Sequence, residues 1–106
     1  MKELDLIVSE LDKLNIEEIK TYNLKEKSPL FDYVVISTMK NDRQANAIIR
    51  NLRELELKGE ITIKGIEDKD LSWILVDLDD IILHVFTSEA RLFYGLDEIY
   101  KVYAKE

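Results

Sequence analysis

Residues 72–87 of the chain read SWILVDLDDIILHVFT. Two apolar runs, each as long as a β-strand, flank two polar residues, Asp79 and Asp80. Apolar runs of this length around a short polar turn are typical of a β-hairpin, here with a loop of two or four residues centred on the aspartates. The same stretch holds the only tryptophan and the only histidine of the chain, Trp73 and His84. The predicted hairpin therefore concentrates the residues with the most distinctive chemistry.

The turn determines which residues of the predicted hairpin face each other. Because successive side chains of a strand point to opposite sides of a sheet, the pairs alternate between two faces. On one face the predicted pairs are all aliphatic: Leu78 with Ile81, Val76 with Leu83, and Ile74 with Val85. On the other face the pairs are mixed in chemistry: Trp73 with Phe86, Leu75 with His84, and Asp77 with Ile82. We expect the function to lie on this mixed face.

The composition indicates a single folded domain that spans residues 1–106. Apolar residues make up 46% of the chain and cysteine is absent, so we expect one core without disulfide or thiolate-metal support. No apolar run is long enough to span a bilayer and no targeting segment is evident, so we expect a cytoplasmic protein without membrane association. The formal net charge of −7 disfavours nucleic-acid binding and favours a basic protein partner. The acidity can equally serve only to keep a small protein in solution.

The N-terminal half predicts a helix, two strands and a second helix. Apolar residues at helical spacing predict the first helix: Leu4, Ile7, Val8, Leu11 and Leu14. Alternation predicts a half-buried strand at Glu18–Leu24, and a β-branched run predicts a central strand at Tyr33–Thr38. Asn41 and Gln44 form a capping-box pattern at the start of the second helix, and Gly59 marks its end.

The C-terminal half completes a mixed sheet. A strand predicted at Ile61–Lys64 forms a parallel, right-handed βαβ unit with the central strand and the second helix. Ser88 is the predicted cap of a third helix that contains Gly95, where glycine indicates either close approach of another backbone or a tolerated substitution. The predicted buried stripe of this helix is Leu92, Leu96, Ile99, Tyr100 and Tyr103. The element order predicts an α/β (α+β) single domain with a mixed five-stranded sheet and three helices.

Two aspartates near the hairpin turn raise the question of catalysis. Alternate carboxylates such as Asp77 and Asp79 can bind two divalent cations, as in phosphoryl and nucleotidyl transfer. Such enzymes also need backbone that cradles phosphate, usually a glycine-rich turn, and residues 39–42 contain no glycine. We therefore favour the interpretation that these aspartates bond the backbone of their own turn. His84 could act as a general base paired with Asp77, but no nucleophile has an evident place beside it, and structural histidines are commoner.

Trp73 and Phe86 allow two interpretations. They can be core aromatics covered by a helix, or they can form an exposed apolar patch that anchors a protein interface. Three helices cover the two faces of a five-stranded sheet only in part, so the composition leaves both interpretations open.

Several motifs follow one another along essentially the whole chain. They are Asp32–Thr38, Arg43-Gln44, Ala47-Ile48, Trp73–Asp77, Asp80, His84–Phe86, and Arg91-x-Phe93-Tyr94-x-Leu96. In this order and spacing they resemble the ribosomal silencing factor (Iojap-like) family, and the hairpin followed by Arg91 and Tyr94 is the most specific part. The chain departs from the family pattern at Asp79, where glycine is usual, and at Tyr100, where tryptophan is usual. Around Ile66-Glu67 the match is displaced.

The resemblance implies a fold similar to that of nucleotidyltransferases but without their active site, and therefore no enzymatic activity and no cofactor or metal. It implies binding to the large ribosomal subunit through its ribosomal protein fourteen. The small subunit then cannot join, and translation is repressed when nutrients are short. The resemblance also makes a homodimer plausible. The alternative is a divalent-metal nucleotidyltransferase-like enzyme that uses Asp77 and Asp79.

The mixed face of the hairpin is the predicted contact surface. Its expected apolar centre consists of Trp73, Leu75, His84 and Phe86. The acidic residues expected to meet basic side chains of the partner are Asp77, Glu67, Asp70 and Asp80. Arg91 and Tyr94, one helical turn apart, are expected either to extend this surface or to brace Asp77 through a charge-assisted hydrogen bond.

Overall fold

Within residues 1–104, which the computed structural model describes, the chain forms one five-stranded sheet and four helices. In chain order the elements are α1 (Lys2–Lys13), β1 (Glu17–Asn23), β2 (Tyr33–Met39), α2 (Asp42–Leu57), β3 (Gly65–Glu67), β4 (Trp73–Asp77), β5 (Ile81–Thr87), α3 (Ser88–Tyr94) and α4 (Leu96–Ala104). The strand order across the sheet is β1-β2-β5-β4-β3. β2 and β5 are parallel, and the other neighbours are antiparallel. The predicted class, an α/β domain with a mixed five-stranded sheet, is confirmed.

β4 and β5 form the predicted hairpin in the predicted register. The paired residues are Trp73 with Phe86, Ile74 with Val85, Leu75 with His84, Val76 with Leu83, and Asp77 with Ile82. The backbone N–H of Leu78 donates to the carbonyl of Ile81 over 2.9 Å, which closes the turn around Asp79. The alternation of side chains along these strands produces two unlike faces, as the sequence predicts.

The two faces are covered by different helices. The apolar stripes of α1 and α2 pack on the aliphatic face, where the fully buried side chains include Ile7, Leu11, Val35, Ile48, Leu52, Ile74, Val76, Leu83 and Val85. α3 and α4 lie on the mixed face. The smaller core beneath them consists of Leu24, Val34, Ile36, Phe86 and Ala90. Each face of the sheet therefore has a core of its own.

The start of α2 is capped as the sequence predicts, with one difference. Asn41 Oδ1 accepts a hydrogen bond of 2.9 Å from the backbone N–H of Gln44. Gln44 Oε1 accepts a bond of 2.6 Å from the N–H of Lys40, whereas a capping box returns this bond to the cap residue itself. The amide of Gln44 also donates to the carbonyls of Leu14 and Asn15. Gln44 thereby fastens the start of α2 to the end of α1.

The predicted strand at Ile61–Lys64 is wrong. The strand after α2 is β3, which begins at Gly65 and pairs antiparallel with β4 at the edge of the sheet. β3 runs in the same direction as β2, but β5 and β4 lie between them. The alternation of apolar and polar residues at 61–64 has another cause than a strand. Ile61 is buried, and both Ile61 and Ile63 pack against the aliphatic core from an extended connection. An extended connection with buried side chains shows the same pattern as a half-buried strand.

The predicted third helix is two helices that meet at Gly95. This residue has the left-handed conformation φ 62°, ψ 31°, which glycine adopts without steric cost and which commonly ends a helix. A Cβ at Gly95 would meet nothing within 4 Å, so, of the two alternatives left open by the sequence, close approach of another backbone is wrong, and the left-handed conformation shows that the glycine is not merely a tolerated substitution. The N-cap of α3 is Thr87 rather than Ser88. The hydroxyl of Thr87 accepts a hydrogen bond of 3.2 Å from the N–H of Ala90.

The break between α3 and α4 also divides the predicted apolar stripe. Leu96 and Tyr100 pack against the smaller core, as predicted. Leu92 and Ile99 are exposed, so the prediction that they are buried is wrong, and the side chain of Tyr103 lies outside the described residues. None of the helices in residues 1–104 has both the length and the apolar character needed to cross a membrane.

Candidate functional site

Four aromatic rings meet where β4, β5 and α3 come together, and we call them the aromatic cluster: Trp73, His84, Phe86 and Tyr94. The ring centroid of Trp73 lies 4.4 Å from that of Tyr94 and 5.0 Å from that of Phe86. The rings of His84 and Phe86 stack with centroids 5.7 Å apart. Ring contacts at such distances stabilise beyond the burial of their area. The cluster joins three residues that the hairpin register places on the mixed face to Tyr94 from the following helix.

The members of the aromatic cluster differ in accessibility. Phe86 is fully buried and His84 is only 3% exposed, which contradicts the prediction that both touch a partner. Trp73 and the neighbouring Leu75 are half-buried, and Tyr94 is 44% exposed. The two aromatic residues thus differ: the core interpretation holds for Phe86, whereas Trp73 packs against that core and keeps part of its surface accessible.

The imidazole of His84 acts as a neutral hydrogen-bond acceptor. The indole Nε1–H of Trp73 donates to His84 Nδ1 over 3.1 Å, so the neutral ring carries its proton on Nε2. Burial lowers the pKa of His84 to about 4, because desolvation disfavours the charged ring. His84 Nε2 is buried without a hydrogen-bond partner among the described residues. His84 is therefore a buried, hydrogen-bonded structural residue, the role that the sequence favours over a general base paired with Asp77, and it fixes the orientation of Trp73.

Asp77 and Asp79 belong to the hairpin turn itself. Asp77 Oδ1 accepts a hydrogen bond of 3.0 Å from the N–H of Asp79, which confirms for Asp77 the interpretation that the turn aspartates bond their own backbone. Asp79 has a left-handed φ of 76°, which aspartate tolerates better than most residues. Asp80 is exposed. Among the residues that the structure describes, no group of three His, Cys, Asp or Glu side chains could hold a metal ion.

A groove of about 410 Å³ lies beside Trp73. Its lining combines half-buried apolar side chains with exposed charged ones, namely Ile66, Glu67, Asp68, Lys69, Asp70, Trp73, Leu75 and Tyr94. Hydrogen bonds from the backbone and the side chain of Ser72 lower the pKa of Asp70, so this carboxylate is charged at neutral pH. Glu67 and Asp70, two of the predicted acidic contact residues, thus lie together next to the accessible aromatic rings.

Arg91 binds a different carboxylate from the one predicted. Its guanidinium forms a bidentate pair with Asp97, with Nε 2.8 Å from Oδ2 and Nη2 3.1 Å from Oδ1. Arg91 Nη1 also donates to the hydroxyl of Thr38 and to the carbonyl of Glu18. Since its carboxylate partner is Asp97, the prediction that Arg91 braces Asp77 is wrong. Only 11% of the Arg91 side chain is exposed, so the prediction that it extends the surface is wrong as well. Tyr94, the other member of the predicted pair, is 44% exposed.

Sequence reasoning missed two residues of this region. Phe93 is 81% exposed, and the edge of one ring meets the other in its contact with Tyr94, with centroids 5.0 Å apart. The pairing of Asp97 with Arg91 was not predicted, because residues six positions apart in one helix do not face each other. The signal for both was Gly95, a residue type that commonly ends a helix. We call the accessible residues Trp73, Leu75, Phe93 and Tyr94 the contact surface.

Comparison of the sequence with known protein families gives a match. The family described as "Ribosomal silencing factor during starvation" matches residues 1–106. The chain belongs to this family. A family relative, the ribosomal silencing factor of Zymomonas mobilis, is 36% identical over 100 residues, which cover 92% of this chain and 74% of that protein. The ribosomal silencing factor of Halalkalibacterium halodurans is 30% identical over 98 residues, which cover 92% of this chain and 84% of that protein.

A solved structure confirms the fold independently. A crystal structure of a protein from Chromobacterium violaceum is similar with a TM-score of 0.84 at 21% identity, covering 93% of this chain and 83% of that one. The resemblance carried by the hairpin and the motifs around it is thus confirmed at the level of the family. The relatives of this family are named for a regulatory role, the silencing of ribosomes.

Proposed function

We propose that this protein binds the large ribosomal subunit through its ribosomal protein fourteen and prevents the small subunit from joining. Translation is thereby repressed under nutrient limitation. The proposal rests on the family of the chain and on one observation above all. The rings of Trp73 and Tyr94 are in contact and accessible beside a groove with acidic walls.

The contact surface has the composition of a protein interface. Aromatic residues surrounded by polar ones are the usual arrangement of binding hot spots. The hydrogen bond from Trp73 to His84 holds the indole in one orientation before any partner arrives, so less side-chain entropy is lost on binding. Glu67 and Asp70 in the groove, together with the net charge of −7, favour a basic partner such as a ribosomal protein. Asp77 and Asp80 continue this acidic character along the hairpin.

The proposed repression is steric. The domain measures 35 × 33 × 22 Å, so a bound copy excludes other macromolecules from a broad area around the contact surface. No chemical step and no cofactor is needed for this effect. The proposed activity is that of a binding module.

The turn aspartates distinguish this proposal from nucleotidyl transfer. Asp77 Oδ1 accepts a hydrogen bond from the backbone N–H of Asp79. Asp79 itself lies in the turn with a left-handed φ, so the two carboxylates are not alternate residues of one regular strand. We expect calorimetry with magnesium and nucleoside triphosphates to give no saturable heat. Saturable micromolar binding that Asp77→Asn abolishes would overturn the binding-module proposal.

Sedimentation of labelled protein with separated ribosomal subunits tests the proposed function. We expect the protein to travel with the large subunit and to lower the yield of joined subunits. Trp73→Ala should weaken binding by at least about 30-fold, equivalent to about 2 kcal/mol, if Trp73 is an anchor. Leu57→Ala is the matched control, because Leu57 is an exposed apolar residue on α2. Circular dichroism establishes that each variant is folded.

Two outcomes of that experiment contradict the proposal. Binding to the small subunit alone would refute the proposal that the large subunit is the partner. Undiminished binding by folded Trp73→Ala refutes the contact surface.

We further propose that the free protein forms a homodimer through apolar surface near α3. Leu92 is 85% and Phe93 81% exposed, and large exposed apolar side chains that lie together mark interaction sites. Because Phe93 belongs to the contact surface, the dimer and the ribosome complex compete for it. Light scattering over a range of concentrations tests this proposal, and a strictly monomeric protein at high micromolar concentration rules it out.

A further inference from the structure

One guanidinium fastens the corner between α3 and α4 to the first two strands of the sheet. β1 is irregular where its register with β2 shifts, between Glu17 and Lys20. Within this bulge Glu18 has a left-handed φ of 50°, which is strained for a residue with a side chain. A bulge leaves backbone groups outside the regular ladder, and the carbonyl of Glu18 accepts a hydrogen bond of 2.7 Å from Arg91 Nη1.

The second attachment of the corner is Asp97. Besides its two bonds from Arg91, this carboxylate accepts a bond of 2.7 Å from the hydroxyl of Tyr22 on β1. Burial works to raise the pKa of Asp97, but hydrogen bonds from Arg91 and Tyr22 outweigh it and lower that pKa. Burial, followed by the bond to Asp97, raises the pKa of Tyr22 to about 12. The carboxylate therefore stays charged and the phenol stays protonated over the whole neutral range.

The third feature is the direction of the chain between these partners. Arg91 and Asp97 can meet only because Gly95 turns the backbone through a left-handed conformation. Tyr94 directly precedes this turn, and its ring lies 4.4 Å from that of Trp73. The position of Tyr94 on the contact surface thus depends on the geometry of the corner. The side chain of Arg91, 11% exposed, lies behind that surface.

We infer that Arg91 is a positioning residue of the contact surface: by binding Asp97, Thr38 and Glu18 together, it fixes the α3–α4 corner and seats Tyr94 against Trp73. The inference deepens the proposed function and rests on it for its binding measurement. A planar, bidentate fork is required, because three acceptors on two strands and a helix must be reached at once. Lysine supplies the charge without the fork.

A double-mutant cycle in large-subunit binding tests the inference. Arg91→Lys should weaken binding about five- to tenfold, whereas Arg50→Lys, at an exposed position of α2, should leave it unchanged. In a Tyr94→Ala background the same Arg91→Lys change should weaken binding by less than about twofold, because residues that act through one another are not additive. Asp97→Asn removes the negative charge and one of the two acceptor oxygens that bind Arg91. It is used in place of Arg91→Lys should that variant fail to fold.

Near-ultraviolet circular dichroism provides a measurement that needs no ribosome. We expect Arg91→Lys and Tyr94→Ala to alter the tryptophan band of the free protein in the same direction, with the far-ultraviolet spectrum unchanged. An unaltered tryptophan band in Arg91→Lys overturns the inference. Effects of Arg91→Lys and Tyr94→Ala on binding that multiply also overturn it. If the unsubstituted protein does not bind large subunits, the proposed function fails, and the tryptophan band alone then decides whether Arg91 seats Tyr94.

Discussion

Adjacent residues of β4 and β5 lie in two different environments. Ile74 and Leu83 have no exposed surface, because α1 and α2, helices of 12 and 16 residues, cover the aliphatic face. Their neighbours Trp73 and Ile82 are only half-buried, because α3 and α4, with 7 and 9 residues, cover the mixed face in part. The same strands therefore supply stability on one side and the proposed contact surface on the other. What separates the two roles is helix coverage, since both faces are rich in large apolar side chains.

The largest effect should come from truncating one side chain on each face of the same strand. Leu83→Ala removes a fully buried residue of the aliphatic core and should lower the free energy of unfolding by roughly 2–5 kcal/mol. Ile82→Ala, one position earlier, is half-buried under the shorter helices and should cost distinctly less. Urea denaturation of the two variants measures both values. Equal losses, or a larger loss for Ile82→Ala, would break the distinction between the faces.

A second, smaller effect should appear as a dependence of stability on pH. Burial holds the pKa of His84 at about 4, against 6.5 for the ordinary group. Between these values the unfolded chain binds more protons than the folded one, so the contribution is present above pH 6.5 and is lost as the pH falls to 4. The loss should reach up to about 3 kcal/mol.

Comparison with His84→Gln isolates this contribution from the titration of carboxylates. The variant lacks the imidazole, so its free energy of unfolding should fall less steeply across the same pH interval. Urea titrations near pH 7 and near pH 4.5 supply the comparison. Parallel pH profiles for the two proteins would show that His84 is not the group responsible.

The smallest effect on stability should come from the most exposed ring of the mixed face. Phe93→Ser removes a side chain that is 81% exposed, so the free energy of unfolding should change by no more than about 0.5 kcal/mol. Self-association and ribosome binding should both weaken in this variant. A stability loss above about 1 kcal/mol, measured by urea denaturation, would place Phe93 in the core and not on the contact surface.

Local patterns were sufficient to predict the hairpin and the start of α2. The turn at Asp79 and the period of two between apolar residues determine the register from Trp73 to Phe86, because a slip of one residue would move every aliphatic side chain to the opposite face. Asn41 caps α2 for an equally local reason. Class and family follow from these segments together with the motifs around them.

Other features depend on contacts that no local pattern contains. Periodicity states which face a strand buries but not which strand lies beside it, so the parallel pairing of β2 with β5 could not be read from either segment. The burial of His84 and Phe86 depends on α3, which packs on the mixed face directly after β5. Of the predicted contact residues around the aromatic cluster, Trp73, Leu75 and Tyr94 are accessible, and the exposed Phe93 was not among the predicted ones.

The parallel pairing of β2 with β5 has a consequence for the nascent chain. β2 leaves the ribosome early, but its neighbour β5 follows only after α2, β3 and β4 have been synthesised. Pairings between such distant segments form late, because a long loop must close before they can form. A chain that ends before residue 81 lacks the central strand of the sheet, and with it one wall of both cores. We therefore expect no partially active translation intermediate, since the sheet is completed only when β5 emerges and the proposed contact surface only when α3 follows it.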